Sequence, residues 1–322
     1  MSAQLLMETL SADQAVGLLK RTGMSGPHAF IRGLNADYDL DVHLHQLLRP
    51  LPSSDDLRFT CGAGNDERWV LMERLPWDSQ FFGRGIARLN AVVQPGHAQD
   101  LRADVSVSRT ALQATLLQAA THGIDYVFSV VPSTDLPALR TLHQTGFELI
   151  ETRCYYHRPL SAGPGERHAV RLAMPEDVPS LARSARTMVN HFDRFHADPE
   201  ITTEDADRLM ERWVEASICD GFADATIVPD VPEPEAFCTA KYHRQHWEGW
   251  GLRLAQPVLS AVSSRHKGWY VRIISELDEH LRNIGAEHSF LITQLTNNAV
   301  IRCWEKLGYH FGKGEHVLRR VL

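Results

Sequence analysis

The sequence predicts an α/β chain of the α+β kind, built as two similar units in tandem, each a mixed central sheet flanked by helices. Three observations predict it. Strand-like apolar runs dominate the middle of each half, with helical patterns between the later ones. A strand-turn-helix segment occurs twice, and the stretch SAGPGER punctuates the chain between the two copies. The length of 322 residues also suggests two domains rather than one.

Taken in order, residues 1–50 read as helical, with Ser11 as a cap ahead of an apolar-periodic stretch through Leu19, and end in a mixed segment at LRPLPSSDD. They form an N-terminal helical extension, 1–56, with no assignable chemistry. A first domain, 57–160, follows with the strand ERWVLMERL, a loop at LPWDSQFFG and the strand IARLNAVV. It continues with a helix from Thr110 to His122, the strand YVFSVV, a helix from Leu136 to Gln144 and the strand FELIETRCYY. The second domain, 167–322, opens with HAVRLA and amphipathic helices over Val178–Val189 and Asp205–Ile218. Strands follow at DATIV, AFCTAKY and PVLSAV, then a long helix from Gly268 to Ile284, the strand SFLIT, a helix from Asn297 to Leu307 and the strand HVLRRVL.

The repeat needs no gap. VFSVVPSTDLPALRTLHQTGF, Val127 to Phe147, lies under SFLITQLTNNAVIRCWEKLGY, Ser289 to Tyr309, with Gly146 on Gly308, a constant offset of 308 − 146 = 162. Asp135 then falls on Asn297, Arg140 on Arg302 and Leu142 on Trp304.

Composition narrows the function. Hydrophobic residues at 43% and charged residues at 23% describe a globular protein with a sizeable core. A formal charge of -7 with no Lys/Arg block argues against nucleic acid as a partner, so any anionic ligand must be held locally. Five scattered cysteines without a CxxC pair indicate neither a disulfide framework nor a zinc ribbon. The start lacks a signal peptide, and no apolar run approaches the roughly 20 residues of a spanning helix. A soluble cytoplasmic protein without a membrane partner is the expectation, with a homodimer left open.

The most informative stretch is VLSAVSSRHKGWYVRIISELDEHL, a strand, a polar turn and a helix start. Gly268 lets the backbone pass close to a ligand, and the N–H groups of Lys267, Gly268, Trp269 and Tyr270 point out of the helix start. With Arg265 and His266 beside it, this is an anion site suited to a diphosphate. Taken alone, a glycine relieving a tight strand-to-helix turn explains the same pattern. Downstream comes ITQLTNNAVIRCWEKLGYHF. The two segments together resemble the GNAT superfamily of N-acetyltransferases, Arg265 and Gly268 matching its diphosphate turn, and Asn297, Glu305, Lys306, Gly308 and Tyr309 its second motif. Around Trp77 in LPWDSQFFG, and in RFHADPEI, the chain is similar to the dTDP-fucosamine acetyltransferase group, over about residues 65–322. The resemblance implies acetyl-CoA as acyl donor, bound by Arg265 to Val271, with a reduced copy of the fold ahead of the catalytic one.

The pattern departs from the family twice. Tyr270 stands where the turn has a small residue, so it must be splayed outward or given room, and Trp304 stands where a tyrosine protonates the departing thiolate. An indole N–H cannot act as that acid, which leaves Tyr309, Cys303 or solvent. Asn297 and Trp304 are seven residues apart, so both are expected to face the ligand cleft. In the first copy, 268 − 162 lands on Ser106, where no glycine turn exists, so that copy is expected to bind no coenzyme.

The other candidates have competing readings. Arg194, beside Phe195, suits a substrate phosphate or carboxylate, or pairs with Asp198 or Asp205; Gln294 is polar where core is expected; Trp213 reads as core. His191, His196, His243 and His246 lie in loop-like surroundings and read as surface groups rather than metal ligands. The expected reaction is acyl transfer from coenzyme A to a primary amine of a small polar acceptor, a nucleotide-linked amino sugar or an amine of a natural-product or amino-acid pathway. Backbone amides on the strand ending at Ser260 would hold the oxyanion, with Glu248 or His246 as base. A non-catalytic binding module and an acyl-CoA decarboxylase are the alternatives.

Overall fold

A computed structural model describes residues 3–5, 10–49, 56–161, 165–188 and 190–322. Val189, most of LRPLPSSDD and part of SAGPGER lie outside the described residues. The chain runs β1 (Ala3–Leu5), α1 (Ala12–Lys20), α2 (Ala36–Leu48), β2 (Asp56–Cys61), β3 (Arg68–Arg74), α3 (Pro76–Phe82), β4 (Ile86–Val93), α4 (Ser106–Thr121), β5 (Tyr126–Pro132), α5 (Leu136–Gln144) and β6 (Glu148–Pro159). It continues through β7 (Val170–Leu172), α6 (Val178–Thr187), α7 (Thr203–Cys219), β8 (Ala225–Pro229), β9 (Ala236–Lys241), α8 (Trp247–Trp250), β10 (Leu254–Val262), α9 (Trp269–Asn283), β11 (His288–Gln294), α10 (Asn298–Lys306) and β12 (His310–Val321).

The chain forms two compact units that are not contiguous in sequence. The first holds residues 1–30, 36–152 and 314–322, and the second 31–35 and 153–313, so the ends of both repeats cross the linear division that SAGPGER suggests.

In the first unit β1, β2, β3 and β4 are antiparallel neighbours and β5 joins β4 in parallel. Alternate residues of β3 face opposite ways. Val70 and Met72 pack with Leu57 and Phe59 against Ala111, Leu112 and Leu116 of α4, while Trp69 and Leu71 pack against Ala15 and Leu19 of α1 and Leu44 and Leu48 of α2. The leading helices are thus a layer of this unit. Ser11 caps α1 as expected, in a capping box with Gln14. Two expectations change. The strand β1 lies in a region read as helical, β2 in a stretch after LRPLPSSDD for which no element is expected, and LPWDSQFFG is a short helix with Pro76 in its first turn and Gly83 left-handed at its end, φ 64°.

In the second unit β7, β8, β9 and β10 are antiparallel, β10 and β11 are parallel, and β6 closes β11 antiparallel. Ile273, Ile274, Leu277 and Leu281 of α9 bury themselves on Cys238, Ala240, Ala255 and Leu291 of the sheet.

The repeat holds element by element: β5, α5 and β6 map onto β11, α10 and β12 at an offset of 162 at both ends. Gly123 and Gly285, φ 75° and 95°, and Gly146 and Gly308, φ 81° and 83°, are left-handed in both copies, as glycine alone does at little cost. The last strand of each copy, however, is exchanged. Residues 153–159 of β6 pair with β11, and residues 315–321 of β12 pair with β5. Pro159 opposite His288 and Val321 opposite Tyr126 show the same register twice. Arg158 donates to the Leu307 carbonyl and Arg320 to the Thr145 carbonyl, again equivalent positions.

Behind α9 the copies differ. Asp278 accepts the Tyr309 hydroxyl at 2.6 Å, Ser289 lies 2.8 Å from the same hydroxyl, and Arg158 stands 3.4 Å from the other carboxylate oxygen. The first copy has Leu116, Val127 and Phe147 at these positions, all buried. Burial raises the Asp278 pKa from 3.8 to about 6, against the hydrogen bond from Tyr309 and the charge of Arg158. A carboxyl with a raised folded pKa binds its proton more tightly folded than unfolded, so its contribution is full below about pH 4 and is lost as pH rises through about 6. Two pKa units correspond to roughly 3 kcal/mol. Urea unfolding across pH 4–7 should show this decline in the native chain and a flatter profile in Asp278→Asn; identical profiles would refute the assignment.

Candidate functional site

The parallel ladder between β10 and β11 runs over Leu254↔His288 and Ala255↔Ser289, and β10 then bulges between Pro257 and Ser260 against β9. Beyond it the two parallel strands part. Such openings, at the carboxyl ends of parallel strands, are where ligands bind in α/β sheets. After β10 come one tight helical turn, Ser264–His266, then Lys267 and Gly268, which is left-handed at φ 89° and stands at the N-cap of α9. A Cβ on Gly268 would meet nothing within 4 Å, so the backbone angle demands the glycine and its outer side is open. No side chain caps α9, which leaves the amides of its first turn, Trp269 to Val271, directed outward. Lys267 is exposed; His266 is half-buried against Trp269, its Nδ1 without a hydrogen-bond partner. These groups fit a diphosphate.

Arg265, 78% exposed, is held 3.0 Å from Glu235, whose carboxylate also accepts from Ser263 Oγ at 2.7 Å. The Ser263 hydrogen bond and the Arg265 charge hold the Glu235 pKa below its usual value. Neither Glu235 nor Ser263 emerged from the motif. The available signal was the pairing of AFCTAKY with β10, which puts the residue before β9 beside the end of β10.

Behind the turn, Tyr270 points inward rather than outward. Trp304 donates its Nε1–H to the Tyr270 hydroxyl at 2.9 Å, and Ser260 of β10 hydrogen-bonds the same oxygen. Trp304 is only 2% exposed, so its face of α10 looks into the core and not onto an open cleft. Asn297 caps α10 by accepting from the Val300 amide at 3.4 Å and donates to Thr293 at 3.1 Å. Asp135 caps α5 through Ala138 in the same way. Tyr309 is enclosed with Asp278 and Ser289, its pKa raised well above 10 by burial and by Asp278, which takes it out of reach of a ligand. Burial also raises the half-buried Cys303 thiol.

Gln294, at the end of β11, accepts from Asn190 and from Thr293. This ties it to the turn that carries Arg194 and Phe195, the guanidinium 4.3 Å over the ring. His196 lies between Asp193 at 2.7 Å and Asp207 at 3.3 Å; burial opposes its charge, but the two carboxylates outweigh that and raise its pKa. It locks the turn to α7. Trp77 belongs to the first unit, exposed and stacked on Phe81. His246, packed on Trp250, and Glu248 precede β10, at the end where it is still paired with β11, and so do not border the opening.

No protein-family model matches the chain, and no curated protein matches it in sequence. Solved structures do match. A GCN5-related N-acetyltransferase from Sphaerobacter thermophilus aligns at 13% identity and TM-score 0.62 over 99% of this chain and 95% of that one. A tandem GNAT protein from the clavulanic acid biosynthesis pathway aligns at 14% identity and TM-score 0.56, over 99% and 97%. The glucosamine N-acetyltransferase region of a fungal multi-domain GH3 beta-N-acetylglucosaminidase aligns at 12% identity and TM-score 0.62, over 99% of this chain and 38% of that one. The fold is a tandem GNAT fold.

The two GNAT copies differ where an anion would dock. In the first, Asp104 accepts from the Ser106 amide at 2.9 Å and from its hydroxyl at 2.8 Å, so a carboxylate already covers the start of α4. In the second the helix start is bare. Among the described residues no three histidine, cysteine or acidic side chains are placed to hold a metal, and no helix is long and apolar enough to cross a membrane.

A diphosphate brought to Arg265 would have to compete with Glu235 for its guanidinium. Glu235→Gln should therefore tighten coenzyme A binding about two- to fivefold by calorimetry, the modest range of an exposed ion pair, and most at low salt. Weaker binding would mean that Glu235 orients Arg265 for the ligand.

Proposed function

We propose that the second unit binds acyl-coenzyme A at Arg265–Val271 and transfers the acyl group, most simply acetyl, to a primary amine. The uncapped start of α9, with Gly268 left-handed and open and Arg265, His266 and Lys267 beside it, carries this reading. Anions bind helix starts of this kind through free amides and the helix dipole. The donor supplies an activated thioester. Backbone amides of β10 beyond Ala255, released from β11, can donate to the oxyanion as the neutral amine attacks. For the acceptor, LPWDSQFFG and RFHADPEI favour a nucleotide-linked amino sugar, the acceptor of the dTDP-fucosamine acetyltransferases these segments resemble; an amino sugar is also the substrate class named for the fungal glucosamine N-acetyltransferase region. Arg194 and Gln294 are the residues in this unit suited to the acceptor's polar groups.

A second reading, a binding module without turnover, draws on the inward Tyr270 and enclosed Trp304 behind the turn. Labelled acetyl-coenzyme A offered with a panel of amines separates the two: acceptor-dependent thiol release supports transfer, and binding without release supports the module.

Gly268→Asp puts a side chain on a left-handed residue and a negative charge before the helix start, so coenzyme A should no longer raise the melting temperature. An unchanged shift would remove the basis of the assignment. Because Asp104 already covers the start of α4, calorimetry should give one coenzyme A per chain. Two per chain would show that the first copy also binds.

A further inference from the structure

We infer that His196 is a positioning residue for the acceptor: as an imidazolium clamped between Asp193 and Asp207, it fixes the turn of residues 190–201 beside the carboxyl end of β11. This rests on the acyl-transfer reading above, with Arg194 and Gln294 as the groups that meet the acceptor. His196 itself touches no substrate and acts through the turn.

The charge follows from the contacts. A carboxylate only accepts hydrogen bonds, and a neutral imidazole has a single N–H to offer. His196 presents Nδ1 to Asp193 at 2.7 Å and Nε2 to Asp207 at 3.3 Å, so both contacts are hydrogen bonds only when both nitrogens carry protons. Its side chain is 2% exposed, which keeps water from replacing either partner. Burial works against the charge, and the two carboxylates override it and raise the pKa above the ordinary 6.5. Asp193 and Arg194 belong to the turn and Asp207 to α7, while Arg186 of α6 stands 3.8 Å from the other Asp207 oxygen and is itself paired with Glu204 and Glu211 of α7.

From this clamp a chain of hydrogen bonds leads to the opening. The other Asp193 oxygen accepts the amides of Phe195 and His196 at 2.8 and 3.1 Å, which shapes the backbone around Arg194. The Asn190 carbonyl accepts the Asp193 amide at 3.0 Å, its side-chain oxygen accepts the Phe192 amide at 3.1 Å, and its amide group donates to Gln294. One end of the turn is thus held on α7 by His196 and the other on β11 by Asn190.

The first copy supplies a comparison. His28 meets Asp39 of α2 at 2.9 Å, and these residues precede His196 and Asp207 by 196 − 28 = 168 and 207 − 39 = 168 positions. The same offset relates Gly83 to Gly251, left-handed at φ 64° and 62°. At that offset Ser25 stands where Asp193 does, so no carboxylate occupies the second place of the clamp in the copy whose helix start is covered by Asp104. The added carboxylate belongs to the copy with the open helix start.

A histidine whose folded pKa is raised contributes fully below the unfolded value of 6.5, and its contribution is lost as pH rises through the raised value. The turn should therefore loosen on the alkaline side.

In the native chain, nitrogen-15 spectra should show the His196 imidazole titrating with a midpoint above 6.5, and amide hydrogen exchange over residues 190–201 should rise through that midpoint more steeply than intrinsic exchange does. His196→Gln keeps a hydrogen bond to one carboxylate and loses the charge. With the amine that the panel above shows to be turned over fastest, its KM should rise about tenfold, with kcat within about threefold and the dissociation constant of coenzyme A within about twofold, the pattern of lost acceptor binding rather than lost chemistry. The pH dependence distinguishes positioning from mere structural support. Ionisation of the amine makes KM fall as pH rises, because only the neutral amine attacks. Above the His196 midpoint KM of the native chain should rise instead, and that of His196→Gln should only fall. Should His196→Gln fail to fold, the spectra, exchange and KM profile of the native chain decide. A midpoint at or below 6.5, exchange that follows the intrinsic rate, or a native KM that only falls with pH would overturn the role of His196. No transfer to any amine by a native chain whose His196 titrates as expected would overturn the acyl-transfer reading instead.

Discussion

The strand that follows α5 leaves its own repeat and pairs along β11, while the strand that follows α10 pairs along β5. Both sheets are finished by this exchange. Without it, β5 and β11, each carrying the buried residues of its unit's core, would present open edges. The equivalent arginines, Arg158 and Arg320, repeat the exchange at the level of single hydrogen bonds, each reaching the carbonyl that ends the other copy's last helix. The pairings join residues more than a hundred positions apart, so the units form through long-range contacts and fold slowly compared with helical bundles.

Within that shared frame the copies differ most tellingly at the start of one helix and directly behind it. The helix after the fourth strand of the first copy starts under Asp104 and packs apolar residues behind it. Its counterpart α9 starts bare and carries Asp278 behind it, buried with Tyr309, Ser289 and Arg158. Breaking a buried pair of this kind is costlier than never having built it. The polar cluster therefore fixes α9, and with it the amides at its start, against β11 and the exchanged strand.

Much of this was legible in the sequence because it is local. The repeat, the glycines at 146, 268 and 308 and the cap at Ser11 each follow from a short stretch whose backbone needs are met by neighbours in the chain. The alternation in DLRFTC was also there to be seen, although its strand pairs with β1, a strand of three residues that carries little pattern. What was not legible depends on partners far away. Helix periodicity puts Asn297 and Trp304 on one face, but Asn297 is the cap that precedes α10, and whether Trp304 meets a ligand or the core is settled by Tyr270, thirty-four residues before it. Glu235 has no motif, and its place beside Arg265 comes from strand pairing. The exchange itself leaves no trace in a single sequence, since either partner strand satisfies the same alternation.

The exchange also bears on how such a duplicated chain can change over time. Once each copy depends on the other for its last strand, the first copy cannot be trimmed away even where its helix start lacks the features of an anion site, because its removal would take β6 from β11. Chemistry can be absent from the first half, but the half itself is still needed as scaffold. A single-copy descendant would first have to redirect β12 from β5 to β11, replacing one complete antiparallel ladder by another before any sequence could be lost.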